Sequence, residues 1–324
     1  MDQPRYARTA ATAVAVALAA LLLVLALRGV EWRDVIHVAG GADPGGLVVA
    51  ASLATATLLL RSLRWRLLLN AEGSVSIGTA FWATSAGYLG NNVLPARAGE
   101  LVRTFMISSR SQLPTTFVLT TALTERLVDA VVLVAIASVV LLTVPLDLGW
   151  LAGAVRPLAV AGLLAALLIA FVPLLESFGT SAVQRLPLPA AALTKLLTIV
   201  AHGVRGIRAF HDGRRLLAFL SLTAVIWAVD ALATVVGGAA LGLAIPFPAA
   251  FLLLACLGLG SALPSTPGYV GIYQFAAVSA LAPFGFSRTD AVAYILVAQG
   301  LMIAVMGIFG SVGLLRYRRS SPAA

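Results

Sequence analysis

Runs of about twenty apolar residues recur along this chain, each long enough for a helix to cross the roughly 30 Å hydrocarbon layer of a bilayer. Six stand out, at roughly 9–28, 46–65, 115–142, 151–174, 216–241 and 291–315. Polar and apolar residues do not alternate at period two, so a membrane barrel of strands is not indicated. Two further apolar regions are broken. Residues 76–94 nearly span, but 98–113 carry Glu100, Arg103, Ser108, Ser109, Arg110 and Gln112 and cannot follow them across. Residues 249–263 and 271–283 make a second pair of short pieces. The pattern predicts an all-α polytopic membrane protein, with about six full transmembrane helices and two re-entrant broken-helix hairpins.

The breaks share a motif. The first reads Asn91-Asn92-Val93-Leu94-Pro95-Ala96-Arg97-Ala98-Gly99-Glu100, the second Leu263-Pro264-Ser265-Thr266-Pro267-Gly268. Each is Leu-Pro, three residues, then Gly, and the copies lie 169 residues apart. Proline and glycine free backbone groups, which a membrane tolerates only where protein or a wet cavity receives them. Paired breaks in two halves are the sequence pointer to a transporter's binding site.

Basic residues decide the sidedness. If 76–113 enters and leaves on one face, 16 of the 22 Lys and Arg residues fall on the cytoplasmic side. Four (Arg28, Arg33, Arg156, Arg288) fall outside, and two (Arg97, Arg126) at membrane depth. A full span over 76–94 would move the six-charge loop between 175 and 215 outside, against the positive-inside rule. Span, hairpin, span then occurs twice in opposite orientation, an inverted repeat of about 46–142 and 216–315 within one integral membrane domain. A cytoplasmic amphipathic segment at about 176–214 joins the halves, with both termini inside. Met1 to Arg8 and the apolar run after it lack the form of a removable signal. A multi-pass protein of a bacterial or archaeal cytoplasmic membrane is expected.

Composition agrees. Sixty per cent of residues are hydrophobic, 11% are charged, and the mean hydropathy is +0.99, far from a water-soluble domain. The formal charge of +9 sits in short loops beside membrane segments, where it sets orientation, so nucleic acid is not an expected partner. The single cysteine, Cys256, allows no internal disulfide. His37, His202 and His211 are too scattered for a metal site, and no metal or other cofactor is expected. Lys195 is the only lysine and lies in no phosphate-binding loop, so ATP-driven transport by this chain alone is not expected.

Candidate functional residues are polar groups that lipid should exclude. Glu125 and Asp129 lie four apart on one helical face, with Arg126 rotated by about 100°. A charge near the bilayer centre costs on the order of 3 kcal/mol on insertion scales, so the three must face protein or water. Two close carboxylates repel, and the pair is expected to take a proton or a cationic headgroup. A cluster that only fixes helix packing is the plainer reading. Arg97, at the first break, offers a fork suited to phosphate, beside the amide groups of a helix starting near Gly99. Pairing of Arg97 with Glu100 or Glu125 is the alternative. Asp230 has no basic residue within a turn and is expected to meet Arg97 or Arg126, or to carry a proton. Asn91 and Asn92 either satisfy freed backbone or bind a headgroup. Pro264, Ser265, Thr266 and Gly268 form the matching break. Arg61-Ser62-Leu63-Arg64-Trp65-Arg66 reads as an interfacial anchor, and Arg-Tyr-Arg-Arg at 316–319 as a stop-transfer flank.

Four segments in order carry a resemblance: Arg64-Trp65-Arg66, Gly87 through Arg103, Glu125-Arg126-Leu127-Val128-Asp129, and Pro264 through Gly271. Together they resemble the lysylphosphatidylglycerol synthase transmembrane-domain family, flippase-like proteins related to the membrane part of the multiple peptide resistance factor. The resemblance implies translocation of an aminoacylated phospholipid, a glycolipid or a polyprenyl-linked sugar. Where the family's second motif reads closer to Pro-Gly-Gly-x-Gly, this chain has Tyr269, which implies a stiffer backbone there. Ending at Ala324, the sequence is expected to be a stand-alone member without the aminoacyl-transferase domain. Three functions are compatible with the sequence: a lipid flippase or scramblase that is not an enzyme, a membrane-embedded transferase acting on a lipid-linked sugar, and a non-transporting partner of a lipid enzyme or glycosyltransferase. A transferase of this kind would ordinarily use an acidic pair in a loop, and no Asp-x-Asp or Asp-Asp occurs. A membrane lipid is the expected substrate, and self-association is compatible with all three.

Overall fold

The computed structural model describes residues 16–94, 98–145, 212–263 and 266–319, with a few isolated positions between 153 and 164. Arg97, Pro264, Ser265, most of the span expected at 151–174 and nearly all of the segment at 176–214 lie outside the described residues. Among the described residues ten α-helices run as α1 (described over Val16–Leu27), α2 (Trp32–Gly40), α3 (Pro44–Leu69), α4 (Ile77–Val93), α5 (Gly99–Ser108), α6 (Thr115–Thr143), α7 (Gly213–Ala240), α8 (Phe247–Gly260), α9 (Ile272–Leu281) and α10 (Arg288–Arg319). No strand occurs among the described residues. Four of the described helices, α3, α6, α7 and α10, are long and apolar enough to cross a membrane. The protein is an α-helical polytopic membrane protein.

Helix ends follow local chemistry. Asp43 caps α3, accepting from the Gly45 and Gly46 amides at 3.2 and 2.7 Å, with Pro44 in the first turn; its fixed φ suits that position. Asp212 caps α7 in the same way, accepting from the Arg214 and Arg215 amides. Ser76 caps α4 through the Thr79 amide. The short helix α2, which the apolar-run reading does not anticipate, packs on α10.

Small residues bring the helices together. Neighbouring apolar helices gain little from hydrophobicity in lipid, so close backbone packing matters more. Along α3 and α7, Gly46 meets Ala240, Ala50 meets Gly237, and Leu68 and Phe219 share a small core at the other end, so the two run antiparallel. Within the hairpin of α4 and α5, a Cβ on Gly99 would overlap the Gly87 carbonyl, and one on Gly90 would lie 2.8 Å from the Gly99 Cα. Gly310 and Gly313 of α10 lie against Leu89 and Trp82 of α4. The second pair, α8 and α9, also pack on each other, and α8 lies on α6 where Gly258 receives Leu133.

Besides that small core, two larger apolar cores result. One gathers Trp65, Leu69, Ala83, Ile107, Phe117 and Val118 around the first hairpin. The other gathers Leu133, Ala137, Leu253, Ala277, Leu281 and Ile295 around the second. The long helix α6 serves both, with its Phe117–Ala122 half in the first and its Leu133–Leu141 half in the second. Glu125, Arg126 and Asp129 fall between.

Candidate functional site

Charged side chains fill the gap between the two cores. Arg64 of α3 donates from Nε and Nη2 to Glu125 Oε1 at 3.1 and 3.0 Å, and from Nη1 and Nη2 to the Asp129 carboxylate at 2.6 and 2.8 Å. Its Nη1 also donates to Thr223 Oγ1 of α7 at 3.0 Å, and the guanidinium lies over the Phe219 ring. Arg103 of α5 joins Glu125 Oε2 at 2.9 Å to Glu100 Oε2 at 2.6 Å, stacked over Trp65. Arg126 reaches the same Glu100 at 2.9 Å and lies over Tyr88. On the far side, Arg61 pairs with Asp230 at 2.6 Å and stands 3.7 Å from Asp129.

The order of contacts is one unbranched path of alternating sign: Asp230, Arg61, Asp129, Arg64, Glu125, Arg103, Glu100, Arg126. Four cations balance four anions. A buried charge without a partner would cost several kcal/mol, so alternation is what makes burial of all eight affordable. Among the described residues each inner member touches two partners of opposite sign, and the end members, Asp230 and Arg126, touch one. The end at Arg126 is also the most open, with 29% of its side chain exposed against 1–4% for Arg64, Glu125 and Arg103.

Beside the path lies a cavity of about 520 Å³, within the range of small-ligand sites. Arg61, Arg126, Asp129 and Asp230 form its charged wall, with Tyr88, Asn91 and Asn92 of α4. Leu254, Leu257 and Gly258 of α8, Tyr269, Tyr273, and Met302 and Met306 of α10 add a mostly apolar part of the lining. Both hairpins therefore contribute. Three buried polar atoms on lining residues, Thr57 Oγ1, Asn91 Oδ1 and Trp227 Nε1, have no hydrogen-bond partner among the described residues, which is uncommon for buried groups.

Most of the residues expected from sequence meet here. Asn91 donates to Glu100 Oε1 at 3.1 Å. Asn92 donates to the Tyr88 carbonyl at 2.9 Å and faces Met306 Sδ. The partners differ from expectation. Asp230 pairs with Arg61, not with Arg126, because α3 lies along α7. Arg126 turns to Glu100 instead of its own helix. Arg64 stands between Glu125 and Asp129, so the chain's own cation occupies the place expected for a proton or cationic headgroup. Arg64, buried, and Arg61, half-buried at the cavity, are pairing residues and not interfacial anchors, because α3 continues to Leu69 and turns both toward the ionic path.

At the second break, Thr266 Oγ1 donates to the Val270 carbonyl, and the Gly268 carbonyl accepts from Gln299 Nε2 at 3.0 Å. Neither joins the ionic path. A 3-10 turn, Pro267–Tyr269, follows the break, and α4 packs against it. Tyr269 has φ 58°, a left-handed conformation that costs a non-glycine residue roughly 1–2 kcal/mol. The tyrosine thus holds the shape a glycine would take, its ring stacked on Tyr273 at 4.8 Å.

The chain is 26% identical over 343 residues to a protein of Haloferax volcanii named Glycosyltransferase AglD, a match covering 95% of this chain and 55% of that relative. It therefore spans about half the length of the curated relative it matches. No solved structure matches the chain. The family model described as lysylphosphatidylglycerol synthase TM region matches residues 12–310, nearly the whole chain, and the protein belongs to that family.

Proposed function

We propose that the protein moves a lipid headgroup across the cytoplasmic membrane without changing it chemically. The observation that carries this reading is the cavity lined by both hairpins: its lining is part ionic and part apolar, with buried polar atoms that have no partner among the described residues. A headgroup crossing a bilayer needs a polar lane while its tails stay in lipid, because charges in hydrocarbon are costly. Arg126, the open end of the ionic path, is the group placed for a lipid phosphate; its planar fork suits that geometry. Arg97, which falls in the sequence between α4 and α5, is proposed to assist. Membership of a family named for a lysyl-phospholipid synthase membrane region supports a lipid substrate.

The two hairpins are proposed as re-entrant elements of an inverted repeat, with the N-terminus inside. Three observations support this. The helix starts at 44, 77, 99 and 115 recur at 213, 247, 272 and 288, displaced by 169, 170, 173 and 173. The first helices of the two sets, α3 and α7, are antiparallel. Packing is also exchanged between sets, since α4 lies on α10 as α8 lies on α6.

The glycosyltransferase name of the 26%-identical relative favours a second reading, in which the headgroup is a sugar on a lipid phosphate and the chain works beside a sugar-transferring domain. Purified protein in liposomes with labelled phospholipids, aminoacyl-phospholipids and polyprenyl-phosphate sugars tests both. Movement between leaflets with each lipid's mass unchanged is the expected result, and the preferred lipid identifies the headgroup. A new lipid product, or no movement above protein-free liposomes for any lipid, would overturn the flipping reading.

A further inference from the structure

The paired residues Arg61 and Asp230 are 169 positions apart, and so are the Leu-Pro pairs of the two breaks. The capping residues Asp43 and Asp212 have the same spacing. Arg61 is thus the eighteenth residue after the cap of α3, and Asp230 the eighteenth after the cap of α7. Residues related in this way exchange places under the operation relating the halves. Two such residues can touch only where that operation moves them least, which is beside its axis. Their 2.6 Å contact therefore marks the axis within the α3–α7 pair, and Arg61 lies over Trp227, one turn back from Asp230.

We infer that Arg61 and Asp230 pair across the two-fold axis of the inverted repeat, making α3 and α7 a fixed pivot about which the hairpins change places. This rests on the inverted-repeat reading above. If the halves exchange conformations to open the cavity alternately to either side, contacts away from the axis must be traded. The packing of α4 on α10 becomes that of α8 on α6. Contacts at the axis map onto themselves and persist. The halves are not chemically equal, and this gives the cycle its asymmetry. Arg126 on α6 bonds Glu100 of its own hairpin, whereas the residue 173 positions later on α10, Gln299, bonds Gln274 of the other. One half carries a charged pair where the other carries a neutral amide pair.

Spin labels in liposomes test the pivot, using full-length protein with Cys256→Ala. Labels at Val48→Cys and Leu217→Cys, both exposed positions on α3 and α7, are expected to give one narrow distance. Labels at Phe105→Cys and Ile308→Cys, on α5 and α10, are expected to give two. An added cysteine pair at Ala50 and Gly237, where the two Cβ positions lie 3.9 Å apart, is within disulfide range. Oxidising it should leave the two-distance exchange intact. A split distance across α3 and α7, a single distance between α5 and α10, or an exchange that freezes on oxidation would each overturn the pivot. Lipid movement is read separately in the same liposomes. Exchange without movement tells against flipping and leaves the pivot standing.

Discussion

Replacing Arg64 with leucine is expected to lower the stability of the folded protein by about 3–5 kcal/mol, the usual cost of leaving buried charges without their partner. Two carboxylates depend on this one guanidinium: Glu125 retains Arg103, and Asp129 retains Arg61 only at 3.7 Å. Thermal unfolding in detergent measures the loss. Arg64→Lys should fall between, since an ammonium cannot bond both carboxylates in one plane. The combination of Arg64→Leu with Glu125→Gln and Asp129→Asn should recover much of the stability, because it removes the stranded charges along with their partner. A leucine variant as stable as the parent would mean that the path of alternating charges does not hold the two cores together.

Arg126 should behave differently. Its side chain is partly open, it borders the cavity, and it shares its single carboxylate with Arg103. Arg126→Ala is expected to fold with little loss yet move lipid roughly ten- to hundredfold more slowly, matching about 1.5–3 kcal/mol for a hydrogen bond to a charged group. Arg126→Lys keeps charge without the fork and should restore only part of the rate. Parallel assays of leaflet exchange and thermal unfolding separate the two effects. Unfolding of the alanine variant together with loss of transport would place Arg126 with Arg64 as a packing residue; an unchanged rate would remove it from the lipid path.

The long apolar helices and the two breaks were legible in the chain because lipid leaves few alternatives for an apolar run of that length. Glu125, Asp129, Asp230, Glu100 and Asn91 were legible as candidates for the same reason. Their partners were not. A charge near the end of an apolar run looks the same whether it flanks the membrane or enters the protein, so Arg61, Arg64 and Arg103 read as surface residues. A signal for them existed. Four carboxylates at depth against only Arg97 and Arg126 leave two charges unbalanced, and Arg61 and Arg64, three apart on one helical face, supply them. The Arg61–Asp230 pairing needed the antiparallel packing of α3 on α7, in which Gly46 and Ala50 meet Ala240 and Gly237 at one end and Leu68 meets Phe219 at the other. The 3-10 turn Pro267–Tyr269 was hidden because Tyr269 adopts a backbone shape that sequence assigns to glycine.

Passage of the headgroup through the cavity is tested most directly by plugging it. Leu257 lies on the apolar cavity wall and Leu217 on the exposed face of α7. In a Cys256→Ala background, Leu257→Cys or Leu217→Cys is labelled to completion with a bulky maleimide, and lipid movement is timed before and after. Labelling at position 257 should bring the rate down to that of protein-free liposomes, while labelling at 217 should leave it unchanged. An undiminished rate with position 257 fully labelled would contradict passage through this cavity.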